Sequence, residues 1–167
     1  GDPHMDLPPL LSALNAEVIV EGSNQKRTIA VQDLITGYYE TILEPNELIV
    51  AISIPSQDGW QSAYRKFTAR SADDWPALGV AVSLSRSQNQ IQDLRLVVGA
   101  ATERPTRLGL SEDILRQEGI SGLERAIESA MSSVEFMDDA HGSRRWKKAL
   151  LRVELQRAVQ EILDRHK

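Results

Sequence analysis

The hydrophobic period of this chain changes once, at Pro105, and that change does most to limit the fold. Before it, Trp60–Ala69, Leu78–Arg86 and Ile91–Ala101 alternate apolar and polar residues, the two-residue period of a strand. Val80, Val82 and Leu84 share one face of the second segment. Leu94, Leu96, Val98 and Ala100 share one face of the third. A loop at Ser71–Pro76 and a turn at Ser87-Gln88-Asn89-Gln90 separate the three, which predicts an antiparallel meander. After Pro105 the period is helical. Ser111–Glu118 turns Ile114 and Leu115 inward and stops at Gly119. Ser121–Val134 repeats the pattern. Ser143–Arg165 is a long amphipathic helix with Ser143 as N-cap, a stripe through Trp146, Leu150, Val153, Ala158, Ile162 and nearby leucines, and a cationic end at Arg165, His166 and Lys167. Strands first and helices last indicate the α+β class, here a three-stranded antiparallel sheet packed against about three C-terminal helices.

A smaller αβ module precedes the meander. Asp6-Leu7-Pro8-Pro9 opens a helix to about Asn15, with Asp6 as N-cap. Ala16–Glu21 and Arg27–Val31 form a hairpin around Gly22-Ser23-Asn24. Gln32–Leu34 is a single turn, Gly37–Glu44 connecting chain, and Glu47–Ile54 a strand stopped by Pro55. The chain therefore divides into 6–55 and 60–167. Residues 1–5, Gly-Asp-Pro-His-Met, have neither the basic nor the apolar region of a signal peptide and read as a cloning scar, left out of the fold argument.

Composition removes several function classes. The net charge is −5, which argues against a nucleic-acid partner. No cysteine is present, so disulfides, iron–sulfur ligation and thiol nucleophiles are all excluded, and the usage fits the cytoplasm. The longest apolar runs, Leu48–Ile54 and Leu78–Leu84, fall far short of the ~20 residues that cross a bilayer, so a soluble protein without a membrane span is expected.

Few residues offer chemistry. His4, His141 and His166 are scattered, with no second ligand at helical spacing, so the pattern holds no zinc or di-iron site. His141 beside Asp138 and Asp139 has the elements of a dyad, against which stands a solvated loop before a helix. Gly22, Gly37, Gly59, Gly79 and Gly99 stand singly, so no glycine-rich phosphate loop is present. The run Arg144-Arg145…Lys147-Lys148 reads as a solvated face. One constellation is unusual: Tyr64-Arg65-Lys66-Phe67-Thr68-Ala69-Arg70-Ser71-Ala72-Asp73-Asp74-Trp75-Pro76 leads from a strand rich in cations to an acidic turn. Tyr64, Lys66 and Thr68 share one face, Arg65 and Phe67 the other. Either Lys66 points at the polar edge of a ligand, or this is a solvated sheet face with Asp74 capping the turn at Trp75-Pro76.

Four segments then recur together: Asp6-Leu7-Pro8-Pro9; Gly37-Tyr38-Tyr39-Glu40-Thr41 with Glu44-Pro45-Asn46-Glu47-Leu48; Ser62 to Ala81; and Gly142-Ser143-Arg144-Arg145-Trp146. In their order and spacing, from about Asp6 to Leu163, they resemble the FAD-binding (medium) subunit of molybdenum hydroxylases, the group of aerobic carbon monoxide dehydrogenase and xanthine dehydrogenase. The resemblance implies a cofactor, FAD, and two partners, a large subunit carrying the molybdenum cofactor and a small iron–sulfur subunit. It implies electron flow from the iron–sulfur clusters through flavin to an external acceptor. The chain would be the rear part of the second FAD-binding subdomain plus the C-terminal domain.

The resemblance also assigns residues. Asp6 matches the Asp of an Asp-Leu-x-Pro motif that contacts the dinucleotide. Ile49 matches an apolar strand residue beside the isoalloxazine. Lys66 matches a lysine at the flavin's polar edge, and Asp73 and Asp74 match an acidic turn near it. No catalytic residue and no metal ligand is implied. The family's pyrophosphate-binding glycine loops lie upstream of Asp6. The chain alone is therefore expected to be inactive and to bind FAD weakly or not at all, and two copies could associate through exposed apolar surface. The alternative is a non-enzymatic interaction module that keeps the fold without flavin. A groove lined by Lys66, Asp73 and Asp74 with Asp6 at its rim separates the two.

Overall fold

The computed structural model of the protein describes every residue except Asn24, Asn89, His166 and Lys167. The two expected turn tips at Asn24 and Asn89, and the cationic end at His166–Lys167, therefore lie outside the described residues.

The front of the chain forms α1 (Leu7–Ala13), β1 (Glu17–Glu21), β2 (Lys26–Ala30), α2 (Val31–Leu34), β3 (Ile35–Gly37), β4 (Glu40–Thr41) and β5 (Leu48–Ser53). β2, β1 and β5 make an antiparallel sheet in that order, and β3 and β4 pair as a small hairpin that runs into Gly37–Glu44, the segment expected to be plain connection. Val18 and Val20 of β1 close a core with Leu11, Ile29, Val31, Leu34 and Ile35. β5 is an edge strand with every residue exposed, although its sequence, LIVAIS, is almost wholly apolar.

The rear forms β6 (Trp60–Phe67), β7 (Leu78–Ser87), β8 (Gln90–Gly99), β9 (Thr106–Arg107), α3 (Gly109–Glu118), a 3₁₀ turn (Gly119–Gly122), α4 (Leu123–Ser133) and α5 (Arg144–Asp164). The expected α+β meander is present as β6-β7-β8. The two-residue β9, too short to carry a period, adds a fourth strand at its edge. Val80, Val82, Leu84, Leu94, Leu96 and Val98 face Leu115, Ile127, Leu151, Leu155 and Ile162 of the helices. Gly119 ends α3 at φ +63°, a conformation that favours glycine.

The stripe of α5 differs from expectation. The helix buries Lys147, Leu151, Glu154, Leu155, Ala158, Val159 and Ile162, while Trp146 and Val153 are 37% and 39% exposed. Two buried charges disguise the true stripe. Glu154 accepts from Arg65 at 3.0 Å and from Arg157 at 2.9 Å, and Lys147 meets Asp139, so each charge is compensated where it is buried. The Arg144–Lys148 run is therefore not uniformly solvated. Trp146 instead packs edge-on against Phe67, ring centroids 5.5 Å apart.

The opposite face of the meander is also covered, by α1. Ala13 packs against Ala81 and Val97 with Tyr64 beside them. A cross-strand glycine pair makes room on this face, Gly99 for Pro9 of α1 and Gly79 for the Tyr64 ring. A Cβ on Gly99 would lie 2.7 Å from Pro9 Cγ, and one on Gly79 would lie 2.5 Å from Tyr64 Oη. Arg95 of β8 donates to the Ala13 carbonyl at 3.3 Å, fixing the C-terminal end of α1. Residues 1–5, expected to be a cloning scar outside the fold, are instead part of it: Pro3 and His4 are buried, the Ala100 N–H donates to the Pro3 carbonyl at 3.1 Å, and the His4 ring meets Asp139. Among the described residues no helix is long and apolar enough to cross a membrane.

Candidate functional site

The N-terminal end of α1 meets β6 at a pocket of about 300 Å³. Local sequence explains why a carboxylate is free there. Asp6 precedes Leu7-Pro8-Pro9, and two prolines remove two of the orphan N–H groups that a cap would satisfy. Asp6 accordingly makes no capping hydrogen bond through its side chain, contrary to expectation. Its carboxylate turns to the sheet, where Oδ1 accepts from the Tyr64 hydroxyl at 2.7 Å and Oδ2 from Lys66 Nζ at 3.0 Å. Tyr64 and Lys66 stand two residues apart on one face of β6, as the strand period requires. The Tyr64 phenol reaches Asp6 across bare Gly79. Burial, with the hydrogen bond and charge of Asp6, pushes that phenol far above its ordinary pKa.

The other wall is the turn after β6. Asp73, Asp74, Trp75 and Pro76 line the pocket opposite Lys66. Asp74 Oδ1 accepts the Trp75 N–H at 2.9 Å, and the Asp74 N–H donates to the Ser71 carbonyl at 3.2 Å, which fixes the turn and leaves the indole 53% exposed. Asp6, Lys66, Asp73 and Asp74, four of the five residues assigned by resemblance, thus line one pocket. Ile49 does not: it sits on β5 in the front sheet, paired with Val20 and 43% exposed. Tyr64, His4 and Trp75 also line or support the pocket and were not singled out as site residues. The shared face with Lys66 was the available signal for Tyr64; nothing in the sequence marked His4.

The donor set suits one end of a flavin. Lys66 spends one ammonium proton on Asp6, lines the pocket and is 27% exposed, so it keeps two further donors for carbonyl or ring-nitrogen acceptors. Trp75 and Pro76 supply apolar surface. Three carboxylates against one ammonium make the pocket a poor host for a pyrophosphate. A larger cleft of about 820 Å³ lies where Thr102–Thr106 meets the start of α5; it contains none of these residues, and its cations Arg104, Arg144, Arg145 and Lys148 are exposed.

The dyad alternative at Asp138–His141 does not assemble. Asp138 is bound to Arg144, accepting from its N–H at 2.7 Å and its Nε at 2.6 Å, and Asp139 pairs with buried Lys147 and His4. Among the described residues no group of His, Cys, Asp or Glu could hold a metal ion.

Comparison with known proteins bears on the same residues. A family model described as the FAD binding domain in molybdopterin dehydrogenase matches residues 1–57, and one described as the CO dehydrogenase flavoprotein C-terminal domain matches residues 62–162. The chain is 35% identical over 164 residues to the nicotine 6-hydroxylase medium subunit of Paenarthrobacter nicotinovorans, covering 96% of this chain and 57% of that one. The solved carbon monoxide dehydrogenase from Hydrogenophaga pseudoflava, in a form lacking the Mo-pyranopterin moiety, superimposes with a TM-score of 0.92 at 28% identity, covering 99% of this chain and 58% of that one. Quinoline 2-oxidoreductase from Pseudomonas putida 86 does so at 0.85 and 27% identity, covering 96% of this chain and 56% of that one. The chain spans little more than half the length of the curated relatives it matches.

Proposed function

Because the chain belongs to the family of CO dehydrogenase flavoprotein C-terminal domains, we propose that it forms one wall of the FAD site in the medium subunit of a molybdenum hydroxylase. The observation that carries the reading is the closure of Asp6 on Lys66. They come from the two different family-matched segments, 60 residues apart in sequence, and meet at 3.0 Å in one pocket. The groove with Asp6 at its rim favours the flavin wall over the interaction module.

Bound flavin would accept electrons and pass them to an external acceptor. The chain's own part is electrostatic. Lys66 places a cation at the ring's polar edge, where it favours negative charge on the reduced ring. Asp6 holds that cation in place, and Tyr64 holds Asp6. Asp73 and Asp74 border the opposite side, and Ile49 offers apolar surface from β5. On this reading the partners are a molybdenum-cofactor large subunit and an iron–sulfur small subunit, and the assembly works in the cytoplasm. The isolated chain would bind FAD weakly, since the glycine loops expected to hold the pyrophosphate are not among its residues.

The test is an FAD titration followed by flavin fluorescence, on this chain and on a form of medium-subunit length. Binding confined to or far tighter in the longer form supports the reading. No binding by either form removes it.

A further inference from the structure

Lys147 is fully buried at the start of α5, in a helix that could have carried leucine there. Burying an ammonium is costly unless it is well paired, so what it ties together matters. Its Nζ donates to Asp139 Oδ2 and, at 3.3 Å, to the carbonyl of Ala100 just beyond β8. The same Asp139 Oδ2 meets His4 Nε2 at 3.0 Å, and Asp139 Oδ1 accepts the His141 N–H at 2.8 Å. His4 is 6% exposed, with its ring 4.8 Å from that of His141. Burial pushes the Asp139 carboxyl up, and the hydrogen bonds from Lys147 and His4 outweigh it, leaving the group below its usual range.

One residue, Met5, separates His4 from Asp6. The Ala100 N–H holds the Pro3 carbonyl on one side of His4, and Asp139 holds the His4 ring. Residues 3 and 4 are thus pinned to the end of β8 and to α5 immediately before the chain turns into the pocket. Asp6 makes no capping bond within α1, and its carboxylate is held across the pocket by Tyr64 and Lys66 of β6. We propose that Lys147, Asp139 and His4 are positioning residues of the flavin pocket, setting the direction of the Asp6 carboxylate and, through it, of Lys66. Asp139 and Lys147 do not line the pocket and act only through His4 and the chain that follows it. The inference rests on the flavin reading above.

A double-mutant cycle between Asp139→Asn and Asp6→Asn, read as FAD affinity in the form that binds FAD, tests it. Each single variant is expected to weaken binding about tenfold, and the double variant to be no weaker than the more severe single. Additive losses would overturn the proposal, because an effect of Asp139 on general structure would persist without the Asp6 carboxylate. His4→Gln keeps a donor for Asp139 and is expected to retain affinity, whereas His4→Ala loses it; equal effects would also overturn it. A readout free of flavin accompanies these: the ¹³C signal of the Asp6 carboxylate should move in Asp139→Asn and His4→Ala and stay in His4→Gln. If the unaltered protein binds no FAD, the flavin reading fails, and that carboxylate signal alone decides whether the triad aims Asp6.

Discussion

Substituting Gly79 by alanine tests how the pocket is held together. The new Cβ would lie 2.5 Å from Tyr64 Oη and 3.2 Å from Cζ, so the phenol must leave its place over the strand. What it leaves is the 2.7 Å hydrogen bond to Asp6. A hydrogen bond to a charged acceptor contributes about 1.5–3 kcal/mol. Replacing glycine returns about 0.4–1 kcal/mol through the unfolded chain. The expected net loss is roughly 0.5–2.5 kcal/mol, which lowers Tm by roughly 1–10 °C for a chain of this size. Thermal unfolding followed by circular dichroism measures it. The same substitution in a Tyr64→Phe background, where the offending oxygen is gone, should cost less than about 0.5 kcal/mol. An equal cost in both backgrounds, or a Gly79→Ala protein as stable as the original, would refute the reasoning.

Two further outcomes follow from the same contacts. A Gly99→Ala side chain meets the rigid Pro9 ring at 2.7 Å and must lift α1 from the sheet, so urea unfolding should show a loss of about 1–3 kcal/mol. The raised Tyr64 pKa makes stability fall with alkali: the unfolded phenol ionises near ~10 while the folded one keeps its proton, so above that pH stability should drop by up to ~1.4 kcal/mol per pH unit. Absorbance titration should accordingly find a tyrosine that ionises only when the protein unfolds.

The parts of this molecule written in apolar periodicity were legible from sequence. The β6–β8 meander and the C-terminal helices follow from alternation and from helical spacing. What periodicity could not show is where charge is buried. Lys147 and Glu154 lie on the inner stripe of α5, and a pattern that counts charges as outward displaces that stripe onto Trp146 and Val153. Asp6 escaped in a similar way. Its position before a helix suggested a cap, but the prolines that follow leave little to cap, and the carboxylate serves β6, sixty residues away. Room for Pro9 of α1 and for the Tyr64 phenol comes from Gly99 and Gly79, paired across β7 and β8 in a register that single glycines in a sequence do not reveal. Ile49, which the resemblance sets beside the isoalloxazine, lies on β5 of the front sheet and does not line the Lys66 pocket.

The most direct test of the central claim is the FAD affinity of Lys66→Met in the form of the protein that binds FAD. Methionine keeps an unbranched stem, one atom shorter, and removes the charge that Asp6 holds at the pocket. The account predicts affinity weakened about five- to tenfold, roughly 1–1.4 kcal/mol, with thermal stability nearly unchanged because a partly exposed ion pair contributes little to it. Unchanged affinity for FAD would contradict the placement of the flavin at this pocket.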